Sequence, residues 1–118
     1  MLLLGGCINR INTNRALAAP DGSVVTGDPA AGEAALVQYN CGACHVIAGV
    51  PGARGLVGPS LTDAGKQAFV AGVLPNTPGN MALWIQEPQK IVPGNAIPDL
   101  DVSATEAEDM VAYLYSIR

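Results

Sequence analysis

Apolar positions along the chain recur mostly at spacings of three and four rather than in strict alternation, which is the period of helices that bury one face. Ala31, Ala35, Leu36 and Tyr39 form such a stripe behind Asp28-Pro29. There, an aspartate able to cap the first turn precedes a proline already set at helical φ, so a first helix is predicted to about Asn40. A second, short helix is predicted around Asp63 to Ala71, stopped by Gly72. Thr77-Pro78 repeats the cap and proline signal and opens a third, carrying Met81, Leu83, Trp84 and Ile85 until Pro88. The last opens with a capping box, Ser103-Ala104-Thr105-Glu106, and carries Met110, Val111, Leu114 and Ile117. From Gly49 to Leu61 the text is too rich in Gly and Pro for a regular element and predicts a tightly turning loop. No segment alternates cleanly as a strand would, and no internal repeat is seen. The expected class is therefore all-α, about four helices joined by long loops.

The pattern starts only at Asp28. Residues from Ile8 to about Gly27 mix Asn, Thr, Pro, Gly and Ser without an apolar period, so residues 1–27 are expected to be a leader remnant and flexible linker, and residues 28–118 the domain. Leu4-Gly5-Gly6-Cys7 looks like the lipobox of bacterial lipoproteins, in which the cysteine is lipidated and becomes the mature N-terminus. The alternative is an incidental thiol in a tail. Met1 to Leu4 has no basic segment and too short an apolar stretch to direct export, so the precursor is expected to begin upstream.

Composition sharpens the picture of the core. The 118 residues suit one domain, and a domain of roughly 90 is near the lower limit for burying an adequate core unaided. Aromatic residues are few, at one Trp, three Tyr and one Phe, although 49% of the chain is apolar. A large flat guest inside the fold would fill that gap. The net charge of −4, without long runs, argues against nucleic acid or an anionic membrane surface as partner.

Candidate chemistry is concentrated in Cys41-Gly42-Ala43-Cys44-His45, which holds the chain's one histidine. Two thiols at this spacing can each add across a haem vinyl group to give thioethers, and the adjacent imidazole is then turned towards the iron. A zinc site would need four ligands, and there is no second cysteine pair. A redox dithiol would be expected beside a strand and helix of an α/β sheet, which the pattern does not predict. Haem c, one group attached through Cys41 and Cys44, is the reading these residues favour.

With that motif in place, residues 28–118 resemble a class I cytochrome c. More narrowly, Gly72-Val73-Leu74-Pro75-Asn76-Thr77-Pro78, Leu83-Trp84-Ile85-Gln86-Glu87-Pro88 and Val92-Pro93-Gly94-Asn95 are similar to the cytochrome c domain fused to subunit II of some bacterial haem-copper oxidases. The resemblance implies a small cytochrome fold with crossing terminal helices, Gly32 allowing close approach and Leu36 meeting Met110 and Tyr113. It implies His45 as proximal iron ligand. It also implies that the carbonyl of Pro59, in Gly58-Pro59, accepts the hydrogen bond of the other ring nitrogen, with Leu61 packed on the proximal side. Trp84 and Ile85 fall where the family lines the distal pocket. Arg54 and Trp84 are either partners of a haem propionate or, respectively, a solvated loop charge and plain core. Met110 is expected to be packing.

One departure stands out. Where the family carries its distal methionine, in a Met-Pro step, this chain has Ile97-Pro98, and an alkyl side chain has no lone pair for iron. Three arrangements compete: an open or water-ligated site covered by Ile97, Trp84 and Leu83; replacement by Met81; or another ligand such as Lys66, Lys90, Asn95 or a partner's side chain. Loss of the thioether is expected to lower the reduction potential.

The expected function is single-electron transfer in a respiratory chain, with redox proteins as partners: by analogy a haem-copper oxidase as recipient, or an upstream cytochrome or quinol-oxidising complex as donor. The expected location is the periplasm, with membrane contact only through a lipid on Cys7. With only Arg54, Lys66 and Lys90 near the haem-bearing core, docking by a ring of lysines is not expected. The alternative function is binding of nitric oxide or carbon monoxide at an open distal site. Efficient peroxidase chemistry is not expected without a second histidine.

Overall fold

A computed structural model describes residues 17–117 of the chain, leaving Cys7 and the lipobox-like segment outside the described residues. Four α-helices carry the fold: α1 (Pro29–Gln38), α2 (Pro78–Gln86), α3 (Pro88–Ile91) and α4 (Ala104–Ser116). All three predicted caps form. The Asp28 carboxylate accepts from Ala30 N at 3.0 Å, Thr77 Oγ1 from Asn80 N at 3.1 Å, and Ser103 Oγ from Glu106 N at 3.1 Å. Each satisfies a backbone donor that the first turn leaves unpaired.

The terminal helices α1 and α4 form the principal packing unit, and α2 lies against α4 as well. Gly32 is the point of closest approach: a Cβ there would overlap the Asp109 carbonyl and come within 2.9 Å of Met110 N. Only a residue without a side chain allows the two backbones to cross so closely. The expected role of Gly32 is thus realised. Leu36, Met110 and Tyr113 are all buried in the core at this junction, at 2%, 1% and 7% exposure. Met110 is accordingly a packing residue.

The predicted helix at 63–71 is not formed. In its place a single 3-10 turn (Ala64–Lys66) leads into a two-stranded antiparallel hairpin, β1 (Phe69–Val70) and β2 (Leu74–Pro75), with Phe69 opposite Pro75. Two causes are visible. The buried Asn76 side chain donates to the carbonyls of Ala64 and Gln67 at 2.9 and 2.7 Å, engaging them from beyond the segment where an α-helix would use its own next turn. Ala71 and Gly72 both take positive φ, 53° and 72°, so Gly72 turns a hairpin instead of stopping a helix. The helix predicted to end at Pro88 instead closes at Gln86, and Pro88 opens the separate single turn α3. The all-helix class nevertheless holds, with four helices and one minimal sheet.

Residues 17–27, within the segment read as a linker, fold onto the domain. Ala18 and Val24 pair across a turn, Val25 N donates to Leu17 O at 2.8 Å, and Ala19 and Val25 are buried at 5% and 8% exposure. Asp28 N then donates to the Asp109 carboxylate at 2.8 Å, fastening the entry of α1 to α4. No helix among the described residues is long and apolar enough to cross a membrane.

Candidate haem site

The site is built where α1 stops. Tyr39 caps the helix and Asn40 adopts the left-handed conformation at φ 58°, which this residue type tolerates because its short polar side chain can bond locally. The chain then closes one 3-10 turn, Cys41–Ala43, with Cys44 N and His45 N both donating to Cys41 O at 3.2 and 3.1 Å. Cys41, Cys44 and His45 therefore lie on consecutive corners of one tight turn. Both thiols are unbridged. Cys41 is half-buried and Cys44 exposed, and burial pushes the Cys41 thiol above its ordinary range, the neighbouring Cys44 adding in the same direction.

The loop from Val46 to Leu61 folds back over this turn. Val46 pairs with Arg54, Gly55 N donates to Gly42 O at 3.0 Å, Gly58 N to Cys44 O at 2.8 Å, and Leu61 N to Val46 O at 2.8 Å. The Thr62 hydroxyl accepts from Ala48 N at 3.0 Å, and Tyr113 on α4 donates its hydroxyl to Ala48 O at 2.7 Å. The turn is thus held by its own loop and by the terminal helix.

These bonds set the state of His45. Its Nδ1 lies 2.6 Å from the carbonyl oxygen of Pro59, an oxygen that can only accept, so Nδ1 carries the hydrogen and donates it. Nε2 is left with the free lone pair, the form an imidazole takes as a metal ligand. Gly58 fits against the ring: a Cβ there would overlap Cε1 and come within 2.7 Å of Nδ1. Two adjacent thiols, a tautomer fixed for ligation and a residue that leaves space for the imidazole together fit a covalently attached haem.

The comparisons with known proteins agree. The cytochrome c family model matches residues 29–118. The chain belongs to the cytochrome c family. It is 33% identical over 88 residues to cytochrome c oxidase subunit 2 of Alkalihalophilus pseudofirmus, covering 74% of this chain and 25% of that protein. It is 28% identical over 99 residues to the subunit 2 of Bacillus sp. (strain PS3), covering 80% of this chain and 28% of that one. The cytochrome thus spans about a quarter of the length of these relatives. The family is one of electron carriers with covalently bound haem c, and Cys41 and Cys44 are the paired thiols this chain offers for it.

The remaining predicted residues divide. Leu61, Trp84, Ile85 and Ile97 are half-buried, the first three packed against the core, while Pro59 is exposed with its carbonyl on His45. Met81 is 5% exposed and belongs to the core around α4. Asn95 is committed elsewhere: its amide donates to Pro88 O at 2.9 Å and Val92 O at 2.7 Å, and its Oδ1 accepts from Ile97 N at 2.6 Å. Lys66 and Lys90 face Asp63 and Glu87 at 3.6 and 2.6 Å.

The sequence reading omitted Gln89. From α3 its Nε2 donates to the carbonyls of Asn95 and Ile97 at 2.9 and 2.6 Å, and its Oε1 accepts from Gly94 N at 3.0 Å. With Asn95 it clamps the loop that carries Ile97. No sequence signal marks it, since a glutamine in so short a helix reads as a solvated side chain.

Proposed function

We propose that this cytochrome carries single electrons between redox proteins of a respiratory chain on the outer side of the cytoplasmic membrane, delivering them to a terminal haem-copper oxidase. One haem is held by thioethers to Cys41 and Cys44 and by His45. The observation that carries the reading is the fixed imidazole: Nδ1–H committed to Pro59 O, and Nε2 free. When bound, the haem supplies a one-electron ferric/ferrous couple. The chain's own residues supply the constancy that transfer needs. The Pro59 carbonyl and Gly58 hold the ring in one orientation, and the hydrogen bond at Nδ1 strengthens donation from Nε2. The loop from Val46 to Leu61 leaves Cys44 at the surface, where a partner can approach. Cys7 is proposed as a lipid attachment point restricting the carrier to the membrane surface. The similarity to oxidase subunit 2 supports the recipient.

The experiment is turnover of the purified holoprotein. Ferrous protein is expected to be reoxidised by a haem-copper oxidase in a cyanide-sensitive reaction, with a pyridine haemochrome indicating one haem per chain. A protein that exchanges electrons with ferrocyanide but with no oxidase would sink the recipient.

A second reading is favoured by Ile97. Its loop is clamped by Gln89 and Asn95, and Asn95, the one alternative ligand in that loop, is fully engaged. This supports an open distal site able to take carbon monoxide or nitric oxide. Titration of the reduced protein with carbon monoxide separates the two: fast stoichiometric binding with slow electron exchange would place ligand binding first.

A further inference from the structure

The half-buried Gln89 spends both ends of its amide on one loop. Nε2 donates to the carbonyls of Asn95 and Ile97 at 2.9 and 2.6 Å, and Oε1 accepts from Gly94 N at 3.0 Å. Asn95 completes the fastening from inside the loop: its Oδ1 accepts from Ile97 N at 2.6 Å, while its amide donates back to Pro88 O and Val92 O, at the two ends of α3. Gly94 makes the turn that brings the loop back under Gln89, at φ 81°. Ile97 is thus bonded through its N–H to one side-chain amide and through its carbonyl to another.

The residue itself removes most of the freedom that remains. Pro98 follows, and its ring restricts the residue before it to extended backbone. Isoleucine branches at Cβ, which leaves few χ1 rotamers. A side chain that cannot bind iron cannot be held in place by it, and here two amides and a proline hold it instead. Ile97 stands where the family carries its distal methionine, so the consequence for that face is a ceiling of one fixed shape. A two-atom ligand needs little room beneath such a ceiling. A ring or a branched amine needs the space of the Ile97 side chain, and gaining it means detaching the loop from Gln89.

We propose that Gln89 is a positioning residue that fixes Ile97 over the sixth position of the haem iron, so that the site takes two-atom ligands such as carbon monoxide or nitric oxide and refuses larger nitrogen donors. This rests on the open-site reading above. Selection by size then depends on hydrogen bonds made to the backbone of the loop, not on a polar group facing the ligand.

The test uses the full holoprotein, with carbon monoxide on the ferrous form and imidazole on the ferric form as probes. Gln89→Leu keeps the bulk of the side chain without its amide and is expected to tighten imidazole binding about tenfold, the change that the loss of a net bond or two allows. Carbon monoxide association is expected to change less than about threefold, and hydrogen exchange at the Ile97 amide to quicken. Ile97→Ala is expected to admit imidazole as well, with the Ile97 loop still protected from exchange at its neighbouring amides. Tyr115→Phe, which weakens the fold away from this loop, is expected to bind both probes as the parent does. Carbon monoxide binding in parent and Gln89→Leu with equal imidazole affinities overturns the role of Gln89 while leaving the open site intact. An equal rise for both probes, or the same rise in Tyr115→Phe, overturns it too, because general loosening would then explain the access. An Ile97→Ala protein that still refuses imidazole shows that Ile97 is not the ceiling. A parent that binds neither probe removes the open site and the proposal together.

Discussion

At the scale of single residues, the site depends on spacing that sequence shows and on bonds that it does not. Cys41, Cys44 and His45 are legible because their chemistry lies within five residues of one turn. The orientation of the ring depends on Gly58 and on a backbone carbonyl fourteen residues away, which only the family resemblance anticipated. Gly58→Ala is expected to displace the imidazole, since the new methyl would overlap Cε1 and the Gly58–Cys44 hydrogen bond resists retreat of the loop. The measurement is haem content and spectrum: protein with haem still attached to the cysteines but lacking a normal His-ligated spectrum is the expected outcome, and a parental spectrum would count against the role given to Gly58. On the other side, Ile97→Met adds a thioether to a loop that Gln89 and Asn95 already hold. It is expected to convert the haem to a low-spin state with a higher reduction potential and to suppress carbon monoxide binding. A variant that remains high-spin would show that residue 97 does not face the iron.

At the scale of elements, caps were legible and long-range backbone bonding was not. Asp28, Thr77 and Ser103 each act within three residues of themselves, so their signals are local. The segment at 63–71 reads as a short helix stopped by Gly72, but Asn76, beyond its end, takes the carbonyls of Ala64 and Gln67. Asn76 in turn accepts from the Tyr115 hydroxyl on α4, tying the hairpin to the terminal helix in a buried position. Tyr115→Phe leaves the Asn76 carbonyl oxygen without that donor and is expected to cost about 1–3 kcal/mol in urea unfolding. A change below a few tenths would show that the bond contributes nothing net.

The capping box of α4 reaches α1 as well. Glu106 is held below the ordinary carboxylate range by the Ser103 hydroxyl first and the Tyr39 hydroxyl second, and the same contact with Glu106 pushes the Tyr39 phenol up. A lowered carboxylate value means stability that is present above the unfolded value and is lost as pH falls through the folded one. A raised phenol value means stability present below the unfolded value and lost as pH rises through the folded one. The α1–α4 contact is therefore expected to be strongest between those two windows. Glu106→Gln should lower Tm at neutral pH and flatten the acid limb of the Tm profile. An acid limb unchanged by the substitution would assign it to other carboxylates.

At the scale of the whole molecule, the domain begins earlier than its helical pattern. Residues 17–27 have no period because they form a strap held by backbone pairing and by two buried side chains, Ala19 and Val25, and such a strap leaves no repeat for a pattern search to find. Its site is the face shared by α2 and α4, where a cleft of about 370 Å³ lies between Val24, Thr26, Pro78 and Glu108. The strap also sets where a tether would leave the globule, at Leu17 and on the α4 side. Two chains distinguish the strap from a loose linker: one beginning at Leu17, the other at Asp28. The shorter chain exposes the apolar surface that Ala19 and Val25 cover and forfeits their burial, and it is expected to be about 2–4 kcal/mol less stable. Urea unfolding of both holoproteins measures the difference. The bonds made by Ala19, Gly22 and Val25 run within the strap, and Asp28 N bonds Asp109 on α4, so the two chains should share one spectrum and one reduction potential. Equal unfolding midpoints would return residues 17–27 to the linker.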